Sequence, residues 1–323
     1  MSFLIGDLLK VGVIGAGRWG KKHIDEYSQM KDAELLWVSD LVEDNLKECQ
    51  EQFNIKNITN DYNNVLSSDV EAVSICTSNE THFKVCKDAL LAGKNVLVEK
   101  PLTLDSKEAY ELVDIAKQSN KLLAVGHIYR YNNAINEGKK LIEKNALGDL
   151  YYLRLQWTIQ WMPRIYPDKK LDIIVDMMPH LYDIMNYLTG LWPNKITCFG
   201  KAFIKKGLED TAFIICEFPN NIVTHSEISW TLPEKVREVD VIGSKASVKI
   251  QAVSQKIIFF EGSNEGKKLE IKENNTLGDE LRSFIEAVKK GSVVTNDGVI
   301  GAKTVELVEA TRKSLEQEKT IIL

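Results

Sequence analysis

The stretch "KVGVIGAGRWG", residues 10–20, constrains this chain more than any other. Val11, Val13 and Ile14 form a short apolar run that leads directly into Gly15, Gly17 and Gly20. A strand that ends in G-x-G-x-x-G and turns into a helix uses each glycine differently. The first permits the tight turn, the second lets a diphosphate approach the main chain, and the third lets the helix lie close on the strand. The helix start, with Arg18 and Trp19 in the turn, offers N–H groups and the positive end of a dipole to an anion. An acid in the right place separates this from a merely structural glycine turn. Asp40 ends the second strand candidate, 20 residues beyond Gly20, where a carboxylate can accept hydrogen bonds from an adenosine ribose. Leu41 follows it with no arginine close by, so a ribose 2′-phosphate would meet a carboxylate and no cation. NAD is therefore expected over NADP.

The rest of the first third fits a parallel sheet covered on both faces. Strand candidates at Val11–Ile14, Glu34–Ser39, Ala72–Cys76, Asn95–Val98 and Leu122–Val125 alternate with amphipathic segments. After Gly126 the pattern changes to a helix, a strand over Leu150–Thr158 and an irregular stretch around Trp161 to Pro167. A helix ending at Gly190 follows, then successive hairpin-spaced strands from Ile196 to Phe260, and two closing helices. The expected fold class is α/β. A doubly wound Rossmann domain over residues 1–126 precedes an α+β domain over residues 127–323 with a large, mostly antiparallel open sheet, and a cleft is expected between them.

A length of 323 residues suits two domains. The net charge of −5 gives no electrostatic footprint for nucleic acid. No apolar run approaches the roughly 18 residues of a membrane span, and the start "MSFLIGDLLK" lacks the features of a secretory signal. Five scattered cysteines without a CxxC pair argue against a disulfide framework or a metal site. A cytoplasmic protein with reduced thiols and no metal is expected.

Two motifs carry candidate chemistry. In "NVLVEKPLTLD" a buried strand ends in Glu99, Lys100 and Pro101. At the carboxyl edge of a doubly wound sheet that triplet faces the cofactor crevice. An ammonium near a cationic cofactor can exchange protons close to neutrality, and the Lys100–Pro101 bond is a candidate cis bond. A surface turn would give the same bare string. In "VDMMPHLYDIM", Asp176 and His180 are four residues apart and share one helix face with Asp183 and Tyr187. This spacing by itself reads first as a solvated polar face, and the alternative is His180 at a substrate hydroxyl with Asp176 orienting or charging it.

Taken together, the glycine turn, "ICTSNETHFKVCKDALLAGKNVLVEKP" and "VDMMPHLYDIMNYLTG" resemble the Gfo/Idh/MocA family of sugar and cyclitol oxidoreductases, in order and over essentially the whole chain. The resemblance implies that Lys100 is catalytic and binds substrate, that Asp176 and His180 complete the catalytic set, and that Thr77, Asn79, His82 and Glu99 approach the cofactor. His127 and Arg130, in "VGHIYRYN", are implied at the cleft as substrate-binding residues, with an interdomain structural cluster as the alternative. Arg164, in "WMPRIYP", is a candidate for a substrate phosphate. The segments "PRI", "IIVDMMPHLYDIM" and "ISWTLPEKVREVDVIG" are similar to a subgroup that oxidises UDP-N-acetylglucosamine at C3. Lys235 and Arg237 read more simply as alternating charges on an exposed strand, and His23 and His225 as structural. Residues 171–172 and 177–179 depart from the small residues usual in the family. The expected function is hydride transfer between a sugar or sugar-nucleotide hydroxyl and NAD. Inositol or free-aldose dehydrogenation, an NAD-dependent glycosidase and a non-enzymatic dinucleotide sensor are the alternatives. A homodimer or homotetramer is implied by resemblance.

Overall fold

A computed structural model of the chain describes residues 8–160, 172–262 and 265–323. They group into two bodies: residues up to Ile128 together with Leu277–Val305, and Tyr129–Thr276 together with Glu306–Leu323. Among the described residues no helix is long and apolar enough to cross a membrane. No group of His, Cys, Asp and Glu side chains among them could hold a metal ion.

The first body runs β1 (Leu9–Ile14), α1 (Arg18–Gln29), β2 (Ala33–Ser39), α2 (Glu43–Phe53), β3 (Asn57–Thr59), α3 (Tyr62–Leu66), β4 (Ala72–Ile75), α4 (His82–Leu91), β5 (Asn95–Val98), α5 (Ser106–Gln118) and β6 (Leu123–Val125). The six strands are parallel in the order β3-β2-β1-β4-β5-β6. Strand order reverses beside β1, which creates the crevice where such sheets take ligands. Both faces are buried, so β5 is apolar from Val96 to Val98. Val96 and Val98 pack with Leu90 and Leu112 on one face, and Leu97 packs with Leu9 and Ile24 on the other. Each such side chain contributes roughly 1.5–3 kcal/mol of burial. Helix α5 starts where it does because the Asp105 carboxylate accepts from the N–H groups of Lys107 and Glu108, at 2.9 and 3.0 Å. The short edge strand β3 and helix α3 carry too few apolar residues to stand out in the sequence.

The second body runs α6 (Asn133–Glu143), β7 (Leu150–Thr158), α7 (Ile173–Thr189), β8 (Lys195–Lys201), β9 (Thr211–Glu217), β10 (Val223–Ser229), β11 (Val236–Gly243), β12 (Ser247–Gln251), β13 (Lys256–Phe260) and β14 (Lys267–Leu269). Then come α8 (Thr276–Lys290), α9 (Gly298–Gln317) and β15 (Ile321–Ile322). The nine-stranded sheet has the order β14-β13-β12-β11-β7-β10-β9-β8-β15. Only the β7–β10 pair in it is parallel. Inward residues such as Leu153, Leu155, Trp157 and Ile214 share one core with α7, while Phe199, Phe213 and Ile215 face outward, exposed.

The sequence pattern assigns both closing helices to the second domain, but the contacts place α8 in the first body. Leu281, Phe284 and Ile285 of α8 join the cluster of Leu9, Val11 and Ala124. Asn296 then fixes the end of β6, donating to the Val125 carbonyl at 2.7 Å and accepting from the Val125 N–H at 2.8 Å.

Candidate active site

Parallel register lines up the functional positions of the first body. Ile14 pairs with Ile75, Ile75 with Val98, and Val98 with Val125. The residues just beyond form one row: Cys76 N–H donates to the Ile14 carbonyl, Glu99 N–H to Ile75, and Gly126 N–H to Val98, at 2.7–2.9 Å. Gly15, Thr77, Asn79, Glu99 and Lys100 therefore all sit at one sheet edge.

The glycine turn behaves as its spacing requires. Gly15 has φ +94°, and a Cβ there would lie 2.6 Å from the Cys76 carbonyl oxygen. A Cβ on Gly20 would lie 1.8 Å from the Gly15 oxygen, so close helix–strand approach explains that residue. A Cβ on Gly17 meets nothing within 4 Å. Among the described residues nothing needs Gly17 to be small, and the open space it leaves fits a group bound from outside. Gly17 caps α1 with no side-chain hydrogen bond, and no acid lies in the first turn, so the positive helix end faces that space. Arg18 is exposed beside it and Trp19 half-buried, with the Lys22 ammonium 4.3 Å above the Trp19 ring. Asp40 accepts from the Ala16 N–H at 2.6 Å and from the Val42 N–H at 2.8 Å. Its carboxylate, half-buried, joins the glycine turn to the end of β2. These residues fit a dinucleotide: an uncapped helix end and open glycine for the diphosphate, and an acid at the ribose position.

Beyond β4, Thr77 and Asn79 are half-buried, and Thr81 donates to the Thr77 hydroxyl at 2.8 Å. Glu99, expected to approach the cofactor, is 7% exposed and uses its carboxylate for contacts inside the first body. Its Oε1 lies 3.1 Å from His23 Nε2, and its Oε2 accepts from the Lys100 N–H at 3.3 Å. Burial raises the Glu99 pKa, but the hydrogen bond from His23 and the nearby His23 and Lys100 charges outweigh this and hold it below the usual range. Lys100 is half-buried at the row's end, and its bond to Pro101 is cis.

His82 is 0% exposed, so its expected direct approach to the cofactor gives way to an internal role. Its Nδ1 lies 2.8 Å from the Pro101 carbonyl and its Nε2 3.2 Å from that of Thr77. Burial lowers its pKa despite these carbonyls. His127 is 1% exposed and is likewise enclosed rather than open to substrate.

In the second body α7 carries the other motif. Asp172 caps it, accepting from the Val175 N–H at 3.0 Å, and Gly190 ends it in the left-handed region at φ 71°. Most of the helix is buried, so a solvated polar face does not describe it. Asp176, His180 and Tyr187 are half-buried along one stripe, while Asp183, expected on that face, is buried. Pro179, just before His180, has no N–H to give the Val175 carbonyl. The His180 ring meets Tyr129 edge-on at 5.2 Å, and Tyr129 meets Trp157 at 5.0 Å.

Two cations correct the sequence reading. Arg130, expected to bind substrate, is buried and donates to the Asp183 carboxylate at 2.6 Å and to Asn186 at 3.0 Å. Arg237 is not a charge on an exposed strand. It is 7% exposed, with its guanidinium 5.3 Å from the Trp157 ring centre, and it donates to the Thr158 carbonyl at 2.8 Å. The aliphatic stem of an arginine can lie along apolar surface, and alternation along β11 puts Arg237 on the same face as the buried Val239 and Val241. Arg164 lies outside the described residues.

Comparison with known proteins agrees with this geometry. The family model described as "Oxidoreductase family, NAD-binding Rossmann fold" (GFO_IDH_MocA) matches residues 9–127. The "GFO/IDH/MocA C-terminal domain" model matches residues 135–249. Myo-inositol 2-dehydrogenase of Thermotoga maritima is 26% identical over 98% of each chain. UDP-N-acetylglucosamine 3-dehydrogenase of Acidithiobacillus ferrooxidans is 26% identical over 95% of this chain and 97% of its own. A solved structure of that enzyme superposes with a TM-score of 0.87, covering 96% of this chain and 98% of the other. The scyllo-inositol 2-dehydrogenase (NAD(+)) of Bacillus subtilis is 26% identical over 88% of this chain and 87% of its own.

Proposed function

The chain belongs to the GFO/IDH/MocA oxidoreductase family, and from that premise we propose that it is an NAD-dependent dehydrogenase of a sugar-nucleotide hydroxyl, with C3 of UDP-N-acetylglucosamine as the favoured position. A bound nicotinamide supplies the hydride acceptor. The residues of the chain do the rest. Gly15, Gly17, Arg18, Trp19, Gly20 and Asp40 hold the dinucleotide, and Thr77 and Asn79 border it. Lys100 and His180 are the two groups for the hydroxyl proton, and Asp176 orients His180. Whichever of Lys100 and His180 accepts that proton becomes the cation beside the oxygen, and that charge offsets the negative charge developing on it. The observation that carries this reading is the row at one sheet edge, where the open Gly17 turn after β1 and Lys100 after β5 flank the end of β4.

Inositol dehydrogenases match this chain as closely as the sugar-nucleotide enzyme does, so a cyclitol substrate is the second reading. Absorbance at the NADH band, with NAD+ and either UDP-N-acetylglucosamine, myo-inositol or a free aldose, tests both. NADH with the sugar nucleotide alone supports the first reading, and NADH with myo-inositol alone replaces it with the second. No NADH from any of the three counts against both.

NAD is proposed over NADP because Asp40 supplies a carboxylate at the end of β2 and the residue that follows it is Leu41, 87% exposed, and not an arginine. Asp40→Ser should raise the KM ratio of NAD+ to NADP+ by about 10- to 100-fold, the worth of a charge-assisted hydrogen bond. The ratio matters because Asp40 also braces the glycine turn, and that loss affects both cofactors alike. An unchanged ratio would remove Asp40 from the ribose site.

The same reading includes a homo-oligomer formed through the outward sheet face, where Phe199, Phe213 and Ile215 lie exposed in adjacent strands. Phe213→Asp should convert the assembly to monomers in analytical ultracentrifugation. A wild-type chain that already sediments as a monomer would end that part of the proposal.

A further inference from the structure

Two histidines converge on the Glu99–Lys100–Pro101 segment from opposite faces of the parallel sheet. His23 lies on α1, whose apolar residues pack on one face, and His82 opens α4, which packs on the other. Both are enclosed, at 1% and 0% exposure, so neither ring presents surface to a substrate or a cofactor. Burying an imidazole costs hydration that a purely space-filling side chain would not lose. What each ring gains is a contact to an atom next to Lys100 in the chain.

His23 Nε2 is 3.1 Å from Glu99 Oε1, and its Nδ1 has no hydrogen-bond partner among the described residues. Its one polar contact is thus the carboxylate preceding Lys100, whose other oxygen accepts from the Lys100 N–H. His82 lies 2.8 Å through Nδ1 from the carbonyl of Pro101, the residue following Lys100, and 3.2 Å through Nε2 from the Thr77 carbonyl. A neutral ring donates through one nitrogen only, and the shorter contact assigns that donor to Nδ1.

We propose that His23 and His82 are positioning residues that bracket Lys100, one holding the carboxylate before it and the other the carbonyl after it. The inference rests on the reading that Lys100 handles the substrate proton. Proton transfer needs reacting atoms placed within a fraction of an ångström, and a displacement of about 1 Å can cost roughly 100-fold in rate. A lysine has four rotatable bonds, so a fixed main chain is the part of its placement the fold can control.

The donors differ in position, and this gives a crossed test. A glutamine amide nitrogen reproduces imidazole Nε2, and an asparagine amide nitrogen reproduces Nδ1. His23→Gln and His82→Asn should therefore behave like wild type, whereas His23→Asn and His82→Gln should not. The first readout is the rate at which an amine-reactive reagent labels Lys100 in the whole protein, followed by peptide mass spectrometry against exposed Lys117. The second is kcat and KM on whichever sugar the wild type oxidises. The two non-matching variants should change the Lys100 labelling rate several-fold and lower kcat by about 10- to 100-fold, with KM little changed. Four folded variants that all label at the wild-type rate would overturn the bracket, and so would equal losses without the crossed pattern. If one non-matching variant does not fold, the other still carries the comparison. Wild-type turnover in Lys100→Ala would overturn the proton-handling reading instead. The labelling pattern, read without substrate, decides the bracket independently.

Discussion

Replacing Lys100 with alanine is expected to lower kcat by about two to four orders of magnitude, the range general acid–base groups supply. NAD+ affinity should stay close to wild type, because the glycine turn and Asp40 contribute the dinucleotide contacts and Lys100 lies on another strand. Stopped-flow or steady-state NADH formation measures the first quantity, and quenching of protein fluorescence by NADH measures the second. Lys100→Arg separates the two functions a lysine can serve here. Arginine keeps the positive charge but does not give up its proton in a protein. Partial recovery in Lys100→Arg would assign Lys100 to electrostatic stabilisation and leave His180 as the proton acceptor. Equal loss in both variants would assign the proton to Lys100. Retained turnover in Lys100→Ala would remove the lysine from the mechanism.

The parts of this site that are local in sequence could be read from it directly. The glycine turn, the strand ending at Val98 and the Asp176–His180 stripe are each written within about 11 residues, the length over which strand and helix periodicity act. The parts that depend on distant partners could not. Arg130 looked available for substrate because its ion-pair partner, Asp183, is 53 residues away. Arg237 reads as exposed by its charge, although period-two alternation puts it on the face of Val239 and Val241; the Trp157 ring beside its guanidinium belongs to β7 and is not written in β11. His82 follows the Thr77–Asn79 turn and meets the Thr77 carbonyl, but its shorter contact is to the carbonyl of Pro101, 19 residues on. Helix α8 carries an ordinary amphipathic pattern that fits either body, and only its packing against Leu9 and Val11 decides. In each case the residue type was legible and its partner was not.

Asp183→Ala is expected to destabilise the second body by about 3–5 kcal/mol, the cost of leaving one member of a buried ion pair without the other. The Arg130 and Asp183 side chains are 6% and 1% exposed, so water cannot replace the missing carboxylate. Asn186, which accepts a second hydrogen bond from Arg130 at 3.0 Å, has no charge to offer. Because the chain forms two bodies, a single melting temperature need not describe it, and hydrogen exchange of α7 amides is the better measure. Exchange should quicken along α7, which carries Asp176 and His180, and the Lys100 labelling rate should not move. The double variant Arg130→Met/Asp183→Leu should recover most of the loss, since apolar groups of similar volume often replace a buried pair at little cost. Recovery of stability without recovery of kcat would mean that the pair aligns α7 for catalysis as well as holding it. Wild-type exchange in Asp183→Ala would mean that the pair holds nothing, and the substrate role first read for Arg130 would return.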